Sequence, residues 1–72
     1  MSIFSERLRQ LRTAKKVYQK DMAEFLGISL RAYQLYESGD GLPSVPGLIA
    51  IADYFNVSID YLIGRTDTPV RV

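Results

Sequence analysis

From Phe4 to Ile63 the apolar residues return every three or four positions: Phe4, Leu8 and Leu11; Met22, Phe25 and Leu26; Tyr33 and Tyr36; Leu48, Ile51, Ala52 and Phe55; Ile59, Leu62 and Ile63. That spacing stripes one side of a helix and lacks the alternation of a strand. The expected fold class is all-α, with five short helices. The punctuation points the same way. Ser2, Ser29, Ser44 and Ser58 each stand before a periodic segment, where a side-chain oxygen accepts from the open donors of a first turn. Gly27, Gly39 and Gly64 stand after such segments, where a helix is stopped by a residue with positive φ.

Helix two is the departure, because its cap position falls on Tyr18. Val17 and Met22 are expected to clasp its start as a hydrophobic staple, with Asp21 near the positive end of the helix dipole. Pro43 stands just ahead of helix four, and Pro46 falls in its first turn, where a missing N–H costs little. The final stretch "RTDTPVRV" has no period and contains a proline. It reads as a fraying end or a short arm, which divides the chain into a domain over 1–64 and a tail over 65–72.

A chain of 72 residues is one domain, burying only about 60% of the surface its unfolded form exposes. There is no cysteine, so neither disulfides nor thiolate metal sites supplement the core, and an intracellular setting is favoured. The opening "MSIFSERLRQLR" lacks the apolar run of a signal peptide, and no stretch approaches the roughly 20 apolar residues of a membrane span. A soluble, cytoplasmic protein with no membrane partner is expected.

The net charge is only +1, but it is unevenly spread: residues 1–38 carry seven Lys or Arg against four Asp or Glu, and residues 39–72 carry two against four. The first half is the side a polyanion would meet; an ordinary solvated surface would look the same. Enzymatic chemistry finds no support. There is no histidine or cysteine, and Glu24, Asp53 and Asp60 fall on separate helices without metal-ligand spacing. No catalytic residue, metal, cofactor or small-molecule ligand is expected.

"QKDMAEFLGISLRAYQLYES", from Gln19, carries the densest pattern. Ala23 is small where two steeply crossing helices must approach, Gly27 makes the turn, and Met22, Leu26, Ile28, Tyr33 and Tyr36 bury the inner faces. This is the arrangement of a helix-turn-helix. A generic helical hairpin also wants a glycine turn and apolar faces, so the spacing alone leaves both open.

Over about Phe4 to Asp67 the chain resembles the Cro/C1-type helix-turn-helix regulators, also called the xenobiotic-response-element family. The resemblance rests on "RLRQLR", "QKDMAEFLGIS", "YQLYESG", the "LPS" before helix four, and "IADYFNVSIDYLIGRTD". It implies a compact five-helix, lambda-repressor-like DNA-binding domain that meets operator DNA, commonly as a homodimer on a palindromic site. Helix three (29–38) would then enter the major groove of double-stranded DNA, presenting Ser29, Leu30, Arg31, Gln34 and Leu35 to base edges.

Arg31 suits guanine, Gln34 adenine, and either leucine a thymine methyl group. Arg31 and Gln34 also suit plain solvation, and the leucines a protein contact or incidental exposure. Gln19 matches the glutamine that in the family holds a phosphate at the start of helix two, and Lys16 and Lys20 flank it. Arg12 and Glu37 match a salt-bridged pair found in some members. Ile59 and Tyr61 lie where the family dimerises, though both also suit closing a small core.

Asp40 and Gly41 replace the basic loop residues that many members carry, which implies modest affinity and a shallow salt dependence. The function expected is a sequence-specific transcriptional regulator, a repressor that occludes a promoter. The alternative is a protein-interaction module using the apolar outer face of helix three.

Overall fold

The computed structural model describes residues 2–71. Five helices follow one another: α1 (Ile3–Ala14), α2 (Gln19–Leu26), α3 (Leu30–Ser38), α4 (Val45–Phe55) and α5 (Ile59–Leu62). No strand occurs among the described residues. Among them, too, no helix is long and apolar enough to cross a membrane.

The caps form as local chemistry dictates. Ser2, Ser29, Ser44 and Ser58 are all extended, and each hydroxyl oxygen accepts from a backbone N–H three residues on, at 3.0–3.3 Å. Tyr18 makes no such side-chain bond. Instead the Asp21 carboxylate accepts from the Tyr18 N–H at 3.3 Å, holding the same turn from its inner side. Gly27 ends α2 at φ +70° and so provides the bend before α3. Two turns use the left-handed region without glycine, at Lys16 (φ 59°) and Asn56 (φ 54°).

All five helices contribute to one core: Phe4 and Leu8, Met22 and Ala23, Tyr33, then Ile51, Ala52 and Phe55, and Leu62, with Val57 from the α4–α5 turn. Val17 packs against its edge. Tyr33 is fully buried, and Tyr36 lies partly covered with its ring edge-on to it at 6.2 Å.

One expectation needs correction. Phe25, read as part of the inward stripe, is 51% exposed, with its ring 4.8 Å from that of Tyr54. Met22 and Ala23 already fill the buried side of α2, and a phenylalanine beyond them finds its partner at the rim. Of the two readings of the residues after Gly64, a fraying end and a short arm, the contacts fit the arm. Arg7 of α1 donates to the carbonyls of Tyr61 and Thr66 and to the Asp67 carboxylate. Farther on, the Ser58 N–H donates to the Pro69 carbonyl at 3.1 Å, and Arg71 meets Asp53 at 2.5 Å. A tail without hydrophobic period is held by polar groups that a periodicity search does not register.

Candidate nucleic-acid interface

Gly27 turns the chain so that α3 packs on α2 through Met22, Ala23 and Tyr33, leaving the opposite side of α3 uncovered. Leu30 (44% exposed), Arg31 and Gln34 stand on that open side. Ser29 is exposed as well, its oxygen already accepting from the Ala32 N–H at 3.0 Å. Leu35 is placed differently from these. The loop after α3 folds back over it: the Asp40 and Gly41 N–H groups donate to the Leu35 carbonyl at 3.0 and 3.1 Å, and Leu35 is only partly exposed. A Cβ on Gly41 would come within 3.2 Å of the Leu35 Cβ, so the glycine there serves close packing.

Lys16 and Lys20 are both exposed, at the α1–α2 turn and the first turn of α2. Between them Tyr18 stands 69% exposed, with Lys20 Nζ 5.7 Å from its ring centroid. The sequence marks Tyr18 only as a poor cap; its place immediately before Gln19 is the available sign of a position on this surface.

Behind the open face, polar groups of three helices join. Arg12 donates from Nε to Glu37 Oε2 at 2.6 Å and from Nη2 to Oε1 at 3.1 Å, while its Nη1 donates to the Val17 carbonyl at 2.9 Å. Gln19 Nε2 donates to Glu37 Oε1 at 3.2 Å, and Gln34 Nε2 donates to Gln19 Oε1 at 3.3 Å. Glu37 is 4% exposed. Burial pushes its carboxyl pKa up, but the bonds from Arg12, aided by that from Gln19, outweigh this and leave it below the ordinary value. The group is an anion held inside the protein. The buried Tyr33 hydroxyl lies nearby but outside hydrogen-bonding geometry among the described residues, and burial raises its pKa far above the usual phenol value.

Ile59 and Tyr61 lie on α5, away from α3. Ile59 is at the margin of exposure, and Tyr61 is partly covered, with the Arg7 guanidinium 4.1 Å above its ring. Arg7 is absent from the sequence expectations, since its partners lie 54–60 residues away.

The sequence model of the helix-turn-helix family matches residues 8–62. The cryptic phage CTXphi transcriptional repressor RstR of Vibrio cholerae serotype O1 is 49% identical over 63 residues, covering 88% of this chain and 56% of that protein. The chain thus spans little more than half the length of this curated relative. Among solved structures, a transcriptional regulator from Listeria innocua superposes with a TM-score of 0.82 at 36% identity, over 85% of this chain and 57% of that one. The restriction-modification controller protein C.AhdI from Aeromonas hydrophila gives a TM-score of 0.72 at 28% identity, over 83% and 91%. A family match over most of the chain, five helices in this order and an open third helix agree, and the chain belongs to the Cro/C1-type helix-turn-helix family of transcriptional regulators, not to a family of enzymes.

Proposed function

We propose that this chain binds double-stranded DNA in a sequence-specific manner and represses transcription by occluding a promoter. The observation that carries the reading is the uncovered side of α3, where Leu30, Arg31 and Gln34 project beside the first turn of α2 with Gln19 and Lys20. In this reading α3 lies in the major groove. Arg31 pairs with guanine, Ser29 and Leu30 meet neighbouring base edges, and Leu35 plays a smaller part because the Gly41 loop covers it. Gln19, Lys16 and Lys20 hold phosphates, which fix position without reading sequence. A two-fold homodimer joined near Ile59 and Tyr61 would set two such helices about one DNA turn apart on a palindromic operator.

The similarity to a phage transcriptional repressor supports the negative sign of regulation. The partial cover over Leu35 weighs against a protein-binding role for this face of α3.

Titration with random duplex at low and moderate salt tests the reading: binding is expected and should weaken as salt rises. Absence of salt-sensitive binding at any accessible concentration would refute it. Within that assay Lys20→Ala should weaken all sequences alike and lower the salt slope by about one unit. An unchanged slope removes Lys20 from the contact surface.

A further inference from the structure

Gln34 and Gln19 are primary amides, which can present either the carbonyl or the NH₂ end to a partner. Here the choice is made from inside the protein. An ionised carboxylate only accepts hydrogen bonds, so Gln19 must turn its NH₂ toward Glu37 Oε1, as it does at 3.2 Å. Its carbonyl oxygen is then the end left for Gln34, whose NH₂ donates to it at 3.3 Å. One Gln34 N–H is thereby engaged. Its carbonyl oxygen and second N–H remain for the outer face.

The anchor is firm, because Glu37 is nearly inaccessible and holds two bonds from Arg12, which is itself tied to the Val17 carbonyl. Reversing the Gln34 amide would set its oxygen against that of Gln19. Reversing both would set the Gln19 oxygen against the Glu37 carboxylate. Each arrangement faces acceptor with acceptor.

We propose that the buried Arg12–Glu37 pair, acting through Gln19, fixes the donor and acceptor ends of Gln34 and so makes it a reader of adenine that rejects guanine. The inference rests on the DNA-binding reading above and adds to it a positioning role for Glu37. Adenine offers a 6-amino donor beside its N7 acceptor in the major groove, which matches an acceptor beside a donor; guanine offers two acceptors, O6 and N7. A free glutamine can turn to suit either base, and this one is held to the first.

The test is site selection from randomised duplexes with the wild type, Gln34→Ala and Gln19→Met. Gln34→Ala should alter preference at one position of each half-site and so locate its base. At that position the wild type should favour adenine over guanine by about tenfold or more, and Gln19→Met, which keeps Gln34 but removes the polar link, should reduce this to about twofold. Gln19→Met should also weaken all sites together, through its lost phosphate contact. If it weakened all sites and left the adenine preference intact, the relay would be overturned while DNA binding stood. The relay would be overturned equally if Gln34→Ala changed no position although the wild type selects a defined site. A wild type that shows no salt-sensitive binding overturns both readings.

A second readout needs no DNA. Exchange of the Gln34 side-chain amide protons in the free protein should be slower in the wild type than in Gln19→Met or Glu37→Gln. Equal rates in the wild type and Gln19→Met, which leaves the Arg12–Glu37 pair untouched, would overturn the proposal even if Glu37→Gln failed to fold.

Discussion

Arg7 and Arg12 lie on the same helix, are covered to nearly the same degree, and each reaches a distant part of the chain. Their acceptors differ. Arg12 meets the carboxylate of Glu37, an anion inside the protein, whereas Arg7 meets the Tyr61 and Thr66 carbonyls, with the exposed carboxylate of Asp67 beyond them. A carbonyl asks only for a donor; a buried carboxylate asks for a compensating charge. The two arginines therefore fasten the fold in different ways. At Arg12 neither partner is tolerable alone, so loss of either is felt across α1, α2 and α3. At Arg7 the loss should stay in the segment that is fastened.

The largest expected effect is the removal of one buried charge. Glu37→Ala leaves the Arg12 guanidinium covered and without its carboxylate, a situation that costs about 3–5 kcal/mol in comparable buried pairs. For a small domain that is a large share of total stability. Urea denaturation should show the midpoint falling steeply, with Arg12→Ala behaving similarly because it strands the carboxylate instead. A fall below about 1 kcal/mol for both would place the pair among surface salt bridges and remove the contrast with Arg7.

Acid should reveal the same pair without mutation. The Glu37 carboxyl has its pKa held below its ordinary value of 4.5 in the folded protein. Its ionised form therefore contributes stability that is fully present above that ordinary value and is lost as pH falls through the lower, folded one. Comparing wild type with Glu37→Gln by denaturation at several pH values, the difference in stability should stay constant from neutral pH down to about 5 and shrink below that. A difference that began to shrink near neutrality would show that Glu37 is not held as an anion.

How much of this is legible in the sequence depends on how far apart the partners are. The serine caps and the turn at Gly27 are readable because each is decided within three or four residues. The α3 face is readable in the same way: burial of Tyr33 turns Leu30, Arg31 and Gln34 outward by helical geometry alone. Periodicity fails at Phe25, because three-and-four spacing identifies a stripe but not how wide a strip of it the neighbouring helices cover. It also says nothing of Lys16 and Asn56, which adopt positive φ without the glycine that would have announced it. The relay from Arg12 to Gln34 and the hold of Arg7 on Tyr61, Thr66 and Asp67 join residues 15–60 apart. Nothing in a local window marks such a bond. The pairing of Arg12 with Glu37 is suggested by family resemblance, not by the charge pattern.

Arg7→Ala is the next largest step. Two backbone carbonyls lose a charged donor and the Tyr61 ring loses its cation. With about 1.5–3 kcal/mol typical of a hydrogen bond to a charged group, the loss should be smaller than at Glu37 and concentrated in one place. Hydrogen exchange is the discriminating measurement. Protection should drop at Gly64 and Arg65, whose N–H groups bond to Tyr61 and Asp60, while amides in α2 and α3 keep theirs. Uniform loss through α2 and α3 would mean that the two arginines act on one cooperative unit, and their difference would then be only one of degree.

The smallest effect sharpens the comparison most. Asp67 makes a 2.9 Å ion pair with Arg7, and its side chain is fully exposed at 101%. Distance alone ranks this pair close to Arg12–Glu37, whose contact is 2.6 Å; exposure separates them. Water and salt screen a charge in that position, and holding two mobile side chains together offsets what attraction remains. Asp67→Asn should therefore leave the denaturation midpoint unchanged within error at moderate salt, and should leave the exchange protection of Gly64 and Arg65 intact because the carbonyls still hold Arg7. A shift comparable to that of Arg7→Ala would show that the exposed carboxylate, and not the covered carbonyls, holds the tail. The two arginines would then fasten the fold by the same means.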